Sequence, residues 1–262
     1  MIDGKDNPSI KLLDFDLQDF VHAYQSISTF HSAIEEVISN SIDANSTEII
    51  VYIDLDKFSF EVHDNGVGIV YENLISIGGW NQSSKHIHDR KTYGCKGEAL
   101  SALRQICQHL DIYTVPYGQR KDIYHKNLSL STSQKHSNDN FNQENSIHIL
   151  RNDIDQTNIF NYEHGTVVKV VGLFHNLPVR RNSIKPEIEL NHIKEYVQRI
   201  GVLHHHIAWS IYNVSSSSSS TKRDNCYVRS LYLPIENSVL HRLFSIHTNV
   251  ATTLYNLEVL IF

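Results

Sequence analysis

The sequence has few of the features that mark secreted, disulfide-bonded or membrane-spanning proteins. It contains three cysteines in 262 residues. They are scattered and odd in number, so we expect neither a disulfide framework nor a paired-cysteine metal knuckle, and a reducing compartment is the default. No apolar run approaches the roughly 18 residues that a membrane span needs. The first residues show no basic segment followed by an apolar stretch, so we expect no secretory signal and no membrane partner.

An excess of positive charge is also absent. The chain has 23 Lys and Arg against 29 Asp and Glu, a formal net charge of -6. This balance argues against a uniformly basic surface for nucleic acid, although a local basic patch stays possible. Hydrophobic residues make up 40% of the chain, enough for a core. At about 150 residues per domain, the length corresponds to one large domain or two modest ones.

Hydrophobic periodicity predicts an amphipathic helix and the strands that follow it. Ser28 or Thr29 can cap a helix whose apolar residues recur at the i, i+3, i+4 and i+7 spacing of one helix face. β-branched and alternating apolar residues then predict strands over 48–55 and 58–62. Later patterns predict a short helix over 71–77, a helix from residue 98, a helix over 187–200, and strands over 110–115, 166–171 and 207–214.

Three polar segments interrupt these elements. Residues 78–97 form a long loop without apolar periodicity, and loops of that length in compact domains are usually functional or disordered. Residues 119–161 are predicted to be a surface insertion, partly disordered. The serine run at 215–220 has the composition of a linker. We therefore expect a first domain over 1–214, a linker over 215–220 and an incomplete second domain over 221–262.

The first candidate site lies on the predicted amphipathic helix. Glu36, Asn40 and Asp43 are spaced i, i+4 and i+7, so they share one face of the helix. An amide oxygen suits Mg²⁺ that already carries phosphate and water ligands, and a nearby carboxylate can polarise an attacking water. The alternative is a solvated polar face.

The second candidate site is the run Asp64-Asn65-Gly66-Val67-Gly68-Ile69, directly after a predicted strand. Its glycines allow close backbone approach or positive φ. An aspartate at a strand end can accept a hydrogen bond from an exocyclic amine such as adenine N6. The alternative is an ordinary turn after an edge strand.

The third candidate site is Gly94-Cys95-Lys96-Gly97-Glu98-Ala99-Leu100, where a glycine-bearing loop enters a helix. Free N–H groups and the helix dipole make such a helix start an anion site, and Lys96 adds positive charge. The run is not a Walker A loop, because GxxxxGK[ST] occurs nowhere in the chain. The alternative is a flexible loop with a helix cap.

Taken in order, these motifs form one joint pattern, which continues to Gly165-Thr166 on a predicted strand. The pattern resembles the GHKL ATPase superfamily of gyrase, Hsp90, histidine kinases and MutL. Within it, GxxGEAL and the run from Gly165 to Arg181 resemble the MutL mismatch-repair proteins. KTYG at 91–94 and NLPVRR at 176–181 are similar to the fungal form of the third eukaryotic MutL homologue, the MutL-gamma subunit.

The resemblance implies a fold and a set of residue roles. The fold is α/β, the Bergerat ATP-binding sandwich: a mixed, mostly antiparallel sheet with helices on one face, followed by the start of a ribosomal-S5-like transducer domain. The implied cofactors are ATP and Mg²⁺. The resemblance implies that Glu36 is the general base, that Asn40 is the Mg²⁺ ligand, and that Asp43 and Ala44 line the pocket. It implies that Asp64 accepts the adenine N6 amine, that Gly68 lets the backbone approach the base, and that Thr166 belongs to the water network behind the adenine. The implied lid contacts are Ser83, Ser84 and Lys85, and the implied triphosphate cradle is Gly94, Cys95, Lys96, Gly97, Glu98, Ala99 and Leu100.

The function implied by the resemblance is an ATP-gated dimerising clamp of mismatch repair and meiotic recombination. The implied partners are another MutL homologue in a heterodimer, MutS-type proteins, and mismatched or branched DNA that this chain binds weakly. The implied location is the nucleus. The chain ends at Phe262, before the lysine that the family uses to sense the γ-phosphate, so we expect weak turnover. Two alternatives stay open: a non-catalytic module that serves dimerisation or DNA binding, and another GHKL ATPase.

Overall fold

The computed structural model describes residues 15–78, 99–119, 122–128, 147–151, 162–214 and 227–247. The helices are α1 (Phe15–Ser26), α2 (Phe30–Asp43), α3 (Tyr71–Ser76), α4 (Ala99–Ile106), α5 (Pro178–Ser183), α6 (Pro186–Leu203) and α7 (239–247). The strands are β1 (Glu48–Asp54), β2 (Ser59–Asp64), β3 (His109–Val115), β4 (Asp122–Asn127), β5 (Ile147–Arg151), β6 (Gly165–Val171), β7 (Ala208–Val214) and β8 (Tyr227–Leu233).

The strands form one eight-stranded sheet in the order β5-β4-β3-β6-β2-β1-β7-β8. β1 and β7 are parallel, and the other neighbouring pairs are antiparallel. Every second residue of β2 is buried, as expected for a sheet with one covered face. Helices α2, α4 and α6 pack against β2, β3 and β7 on that face. The predicted mixed, mostly antiparallel sheet with helices on one face is therefore confirmed.

Helix α2 forms where its sequence pattern predicts it. Thr29 is the N-cap: its hydroxyl accepts a hydrogen bond from the Ser32 N–H, and the Ser32 hydroxyl accepts one from the Thr29 N–H. The apolar stripe is buried, and the ring of Phe30 lies edge-on to that of Phe60, with centroids 5.7 Å apart. The buried stripe fixes the rotation of the helix about its axis, so its polar face points away from the core.

Part of the predicted insertion at 119–161 belongs to the sheet, which corrects that expectation. Strand β4 pairs with β3, and β5 pairs with β4. The sequence of β4 does not indicate a buried strand, because it carries a lysine. In the structure this residue, Lys126, is fully buried. Its ammonium donates to the carbonyls of Leu74, Ile75 and Ile77 at 2.7–2.8 Å, at the end of α3. The rest of the predicted insertion lies outside the described residues.

The expected domain boundary at 215–220 is also corrected. Strand β8 follows the serine run and pairs antiparallel with β7, so the run connects two neighbouring strands of one sheet. Arg242 on α7 is fully buried and donates to the carbonyls of His205 and Ile207, which ties α7 to the segment before β7. Residues 227–247 therefore continue the first unit. Residues 248–262 lie outside the described part of the chain.

Three of the described helices were not predicted from the sequence pattern: α1, α5 and α7. α1 packs against α4 and buries Ala23, while Ile27 beyond its end is also buried. α5 begins at Pro178, a residue well suited to the first turn of a helix. Within the described residues, no helix has both the length and the hydrophobicity to cross a membrane.

Candidate functional site

The polar face of α2 contributes the first part of the site. Glu36 is exposed, whereas Asn40 and Asp43 are half-buried. Ser41, the next residue after Asn40, is 3% exposed and points toward the sheet. Its hydroxyl donates to Asp64 Oδ2 at 2.9 Å. This hydrogen bond joins the helix that carries Glu36 and Asn40 to the carboxylate at the end of β2.

Asp64 is a buried carboxylate at the centre of the site. It is 4% exposed, and its Oδ1 accepts a hydrogen bond from the Gly66 N–H at 2.9 Å. Burial raises the pKa of Asp64, although the hydrogen bonds from Gly66 and Ser41 favour its ionised form. A carboxylate has about four acceptor sites, so it can accept further hydrogen bonds from a ligand.

The turn after Asp64 requires glycine at two positions. Gly68 has φ +69°, and a Cβ there would lie 2.2 Å from the carbonyl oxygen of Val115. Gly66 has no room for a side chain either, because its Cβ would lie 2.7 Å from the Cβ of Ala44. The backbone of the turn therefore lies directly against the end of α2 on one side and the end of β3 on the other.

Hydrogen bonds hold this turn to its neighbours. The Asn65 side-chain oxygen accepts from the N–H groups of Thr47 and Glu48 at 2.8 and 2.9 Å. The Val67 N–H donates to the carbonyl of Ala44 at 2.9 Å. Ala44, predicted to line the pocket, thus contacts the turn through its backbone. These bonds give the turn a single arrangement relative to α2 and β1.

A pair of threonines lies beside Asp64 in the sheet. Thr166, on β6, is opposite Asp64 in the strand register and is 6% exposed. Thr114, on β3, donates to the carbonyl of Gly165 at 2.9 Å, and its Oγ1 lies 3.3 Å from that of Thr166. The Thr114 hydroxyl also accepts a hydrogen bond from the Ile69 N–H. The structure therefore places Thr166, Asp64 and the turn in one polar cluster.

The third motif is described only at its end. Helix α4 begins at Ala99 and packs against α2, so Ala99 and Leu100 lie at its N-terminus. The other residues predicted for the lid and the phosphate cradle lie outside the described residues: Ser83, Ser84, Lys85, Gly94, Cys95, Lys96, Gly97 and Glu98.

Other residues of α2 face α6 instead of this site. Glu35 lies close to His31, His192 and Arg199, and burial raises its pKa while those groups lower it. Ser39 donates to the Glu35 carbonyl, and its hydroxyl lies 3.4 Å from that of Tyr196 on α6. Neighbouring carboxylates on α2 therefore face different surroundings: Glu36 is exposed, and Glu35 packs toward α6.

Three members of the cluster were not predicted from the sequence: Ser41, Thr114 and His164. His164 Nδ1 lies 2.6 Å from the carbonyl oxygen of Gly66. The contacts of these residues join positions between 23 and 98 residues apart. A polar residue within the apolar strand β3 was a signal for Thr114; His164 had no local signal.

The geometry suits an adenine nucleotide in two respects. A buried carboxylate can accept a hydrogen bond from an amine, and the side-chain-free turn leaves backbone next to it. On the same helix, Asn40 offers an amide oxygen of the kind that Mg²⁺ accepts, and Glu36 lies one turn away. Among the described residues, no group of three or more His, Cys, Asp or Glu side chains is arranged to hold a metal ion by itself. A Mg²⁺ site here thus needs phosphate and water ligands besides the protein.

A profile of the histidine kinase-, DNA gyrase B- and HSP90-like ATPases matches residues 27–166, just over half of the chain. The chain belongs to this family. The matched segment begins before α2, contains the Asp64 turn and ends at Thr166, so it covers every described member of the site.

Individual relatives are mismatch-repair proteins. The chain is 26% identical to the DNA mismatch repair protein Mlh3 of Homo sapiens, over 80% of this chain and 13% of the human protein. It is 28% identical to MLH3 of Saccharomyces cerevisiae, over 77% of this chain and 28% of the yeast protein. The predicted resemblance to MutL-type proteins is confirmed. The chain spans less than a third of the length of either relative.

A solved structure shows the same fold. The MutL ATPase domain of Aquifex aeolicus, complexed with ADP, superposes with a TM-score of 0.58 over 85% of this chain and 70% of that chain, at 17% identity. The similarity confirms the predicted Bergerat-type α/β fold.

Proposed function

We propose that this chain binds ATP with Mg²⁺ and hydrolyses the nucleotide. The observation that supports this most directly is the buried Asp64 carboxylate, which Ser41 joins to the helix that carries Glu36 and Asn40. An ionised carboxylate only accepts hydrogen bonds, so it selects a donor such as the exocyclic amine of adenine. Membership of an ATPase family supports the same assignment.

The described residues have distinct proposed roles. Glu36 is the general base that activates the attacking water, and Asn40 is the protein ligand of Mg²⁺. Asp64 accepts the adenine amine, Gly68 leaves room for the base, and Thr166 orders the polar groups behind it. Asp43 and Ala44 line the pocket, and the backbone of Ala99 and Leu100 forms the end of the triphosphate cradle. Asn40 would hold Mg²⁺, which would supply positive charge to offset the charge that develops on the phosphates. The roles predicted for residues between 83 and 98 stay predictions.

Base recognition is tested by Asp64→Asn, with Asp54→Asn as the matched control. Asp54 is also 4% exposed and accepts a hydrogen bond from Lys57 N–H, but it lies at the far end of β1. A hydrogen bond to a charged group is worth about 1.5–3 kcal/mol, so we expect Asp64→Asn to weaken binding by roughly 10- to 100-fold. Calorimetry with a non-hydrolysable ATP analogue and Mg²⁺ measures this. Equal affinities for the two variants contradict the assignment.

Catalysis is tested by Glu36→Ala, with Glu35→Ala as the matched control on the same helix. A general base typically contributes about 10²–10⁴-fold to the rate, so Glu36→Ala should lose turnover by that factor and keep its affinity. Glu35 packs toward α6, so its removal should leave turnover near the wild-type rate. If Glu36→Ala hydrolyses ATP like the wild type, the role is assigned wrongly. Wild-type binding without any turnover favours the non-catalytic alternative.

For the whole protein, we propose a subunit of a MutL-type mismatch-repair complex in the nucleus. The names of the relatives support this. The proposed partners are another MutL homologue, MutS-type proteins and mismatched or branched DNA, in repair and in meiotic recombination. Light scattering should detect association with the ATPase region of a second MutL homologue only when Mg²⁺ and an ATP analogue are present. Association that is equally strong with and without the nucleotide contradicts an ATP-gated clamp.

A further inference from the structure

His164 makes a hydrogen bond to the turn that follows Asp64. The residue lies just before β6, and its Nδ1 is 2.6 Å from the carbonyl oxygen of Gly66. A carbonyl oxygen only accepts hydrogen bonds, so Nδ1 carries the proton and donates. The contact joins residues 98 positions apart in the sequence.

Gly66 connects His164 to Asp64. Its carbonyl accepts from His164, and its N–H donates to Asp64 Oδ1 at 2.9 Å. Glycine has more backbone freedom than any other residue, and a side chain that could restrain it does not fit here, because a Cβ would lie 2.7 Å from Ala44. The orientation of the Gly66 backbone therefore depends on hydrogen bonds from outside the turn.

We propose that His164 is a positioning residue that orients Asp64, through Gly66, for recognition of the adenine amine. This inference rests on the nucleotide site proposed above. When the Gly66 carbonyl is held, its N–H points at Asp64. Without the His164 donor, the Val67 N–H bond to Ala44 is left to restrain the Gly66–Val67 peptide, so the turn is held less firmly and the hydrogen bond that fixes the plane of the buried carboxylate weakens.

The surroundings of His164 restrict its movement. The ring of Tyr117 lies edge-on to the imidazole, with centroids 5.0 Å apart. The N–H of Tyr117 donates to the carbonyl of Val67 at 2.8 Å, so the loop after β3 is itself bonded to the turn. His164 and Tyr117 thus hold two successive carbonyls of the turn, those of Gly66 and Val67.

Two variants separate the hydrogen bond from the imidazole ring. His164→Leu removes the donor. His164→Asn keeps one, because the side-chain nitrogen of asparagine is as many bonds from the backbone as Nδ1. His241→Leu is the control, since His241 is an exposed histidine on α7, away from the site. Thermal unfolding of each variant verifies that it folds.

The assay compares ATP with inosine triphosphate, which lacks the exocyclic amine. A typical neutral hydrogen bond contributes about 1 kcal/mol, so we expect His164→Leu to weaken ATP binding about fivefold. Binding of inosine triphosphate should not change, and His164→Asn should restore ATP affinity to within about twofold of the wild type. Equal weakening of both nucleotides, or no weakening of either, overturns the proposal.

A second measurement needs no nucleotide. Hydrogen exchange at the Gly66 amide, followed by NMR in the free protein, should be faster in His164→Leu and normal in His164→Asn. Unchanged exchange in His164→Leu overturns the proposal even if nucleotide affinity changes. If the wild type binds no ATP, the proposed function fails, and the exchange rates still decide whether His164 holds Gly66.

Discussion

Gly68 offers the sharpest test of the site's geometry, through the substitution Gly68→Ala. Two separate costs arise there. The residue has φ +69°, a conformation that side chains disfavour, and the new Cβ would lie 2.2 Å from the carbonyl oxygen of Val115. An ordinary contact needs about 3.5 Å, so the turn and the end of β3 must separate by roughly 1 Å.

The magnitude follows from the two costs. The left-handed conformation costs an alanine about 1–2 kcal/mol, and forcing an extra carbon into a packed site costs about 1–3 kcal/mol. We therefore expect Gly68→Ala to lower the free energy of unfolding by about 2–5 kcal/mol. For a chain of this size, that corresponds to a fall in Tm of roughly 5–20 °C.

Gly118→Ala is the matched control. Gly118 has φ +79°, and no heavy atom lies within 4 Å of the position of its Cβ. Its substitution should therefore show only the backbone cost, about 1–2 kcal/mol. Urea and thermal unfolding of both variants measure the difference. If Gly68→Ala and Gly118→Ala lose the same stability, the close approach of the turn to β3 is refuted.

Two further predictions concern ion pairs and an arginine away from the site. Burial raises the pKa of Glu61, but hydrogen bonds from His63 and Lys169 outweigh it and hold the pKa at about 2, below its ordinary 4.5, so the stabilisation is present above pH 4.5 and is lost as the pH falls toward 2. In urea unfolding, Glu61→Gln should be less stable than the wild type at pH 7 and should lose less stability on acidification. Parallel curves of stability against pH for the two proteins contradict this. Arg180 donates to two carbonyls at the end of α1, and its guanidinium lies 3.7 Å from the ring centroid of Tyr24. Arg180→Ala should therefore lower the free energy of unfolding by about 2–3 kcal/mol, measured by thermal unfolding. An unchanged stability contradicts a structural role for Arg180.

The contacts of Arg180 and Arg181 bear on two interpretations of this arginine pair. The sequence allows a structural role and contact with DNA equally. Arg180 donates a hydrogen bond to the carbonyl of Ile27, just beyond the end of α1. The guanidinium of Arg181 lies 4.2 Å from the ring centroid of Phe58. The structure therefore supports the structural interpretation, because both guanidinium groups pack against aromatic rings of the chain.

Local patterns were sufficient for the elements whose burial repeats regularly. The stripe of α2 and the alternation in β2 depend on residues a few positions apart, so the sequence predicted both elements closely. Strands β4 and β8 were missed for a different reason. Lys126 in β4 is buried because it donates to carbonyls 49–52 residues away, and β8 pairs with β7 across a serine run.

Few features of the sequence mark a secreted or membrane-spanning protein, and its ordered motifs by themselves determined the family, the fold class and the candidates Glu36, Asn40 and Asp64. Those motifs are informative because helix faces and glycine turns are set by neighbouring residues. Only the tertiary structure decided that Ser41 bonds Asp64, that Glu35 and Glu36 face different surroundings, and that His164 holds Gly66. Each of these depends on hydrogen bonds or packing between distant segments, and such contacts exist only once the sheet brings those segments together.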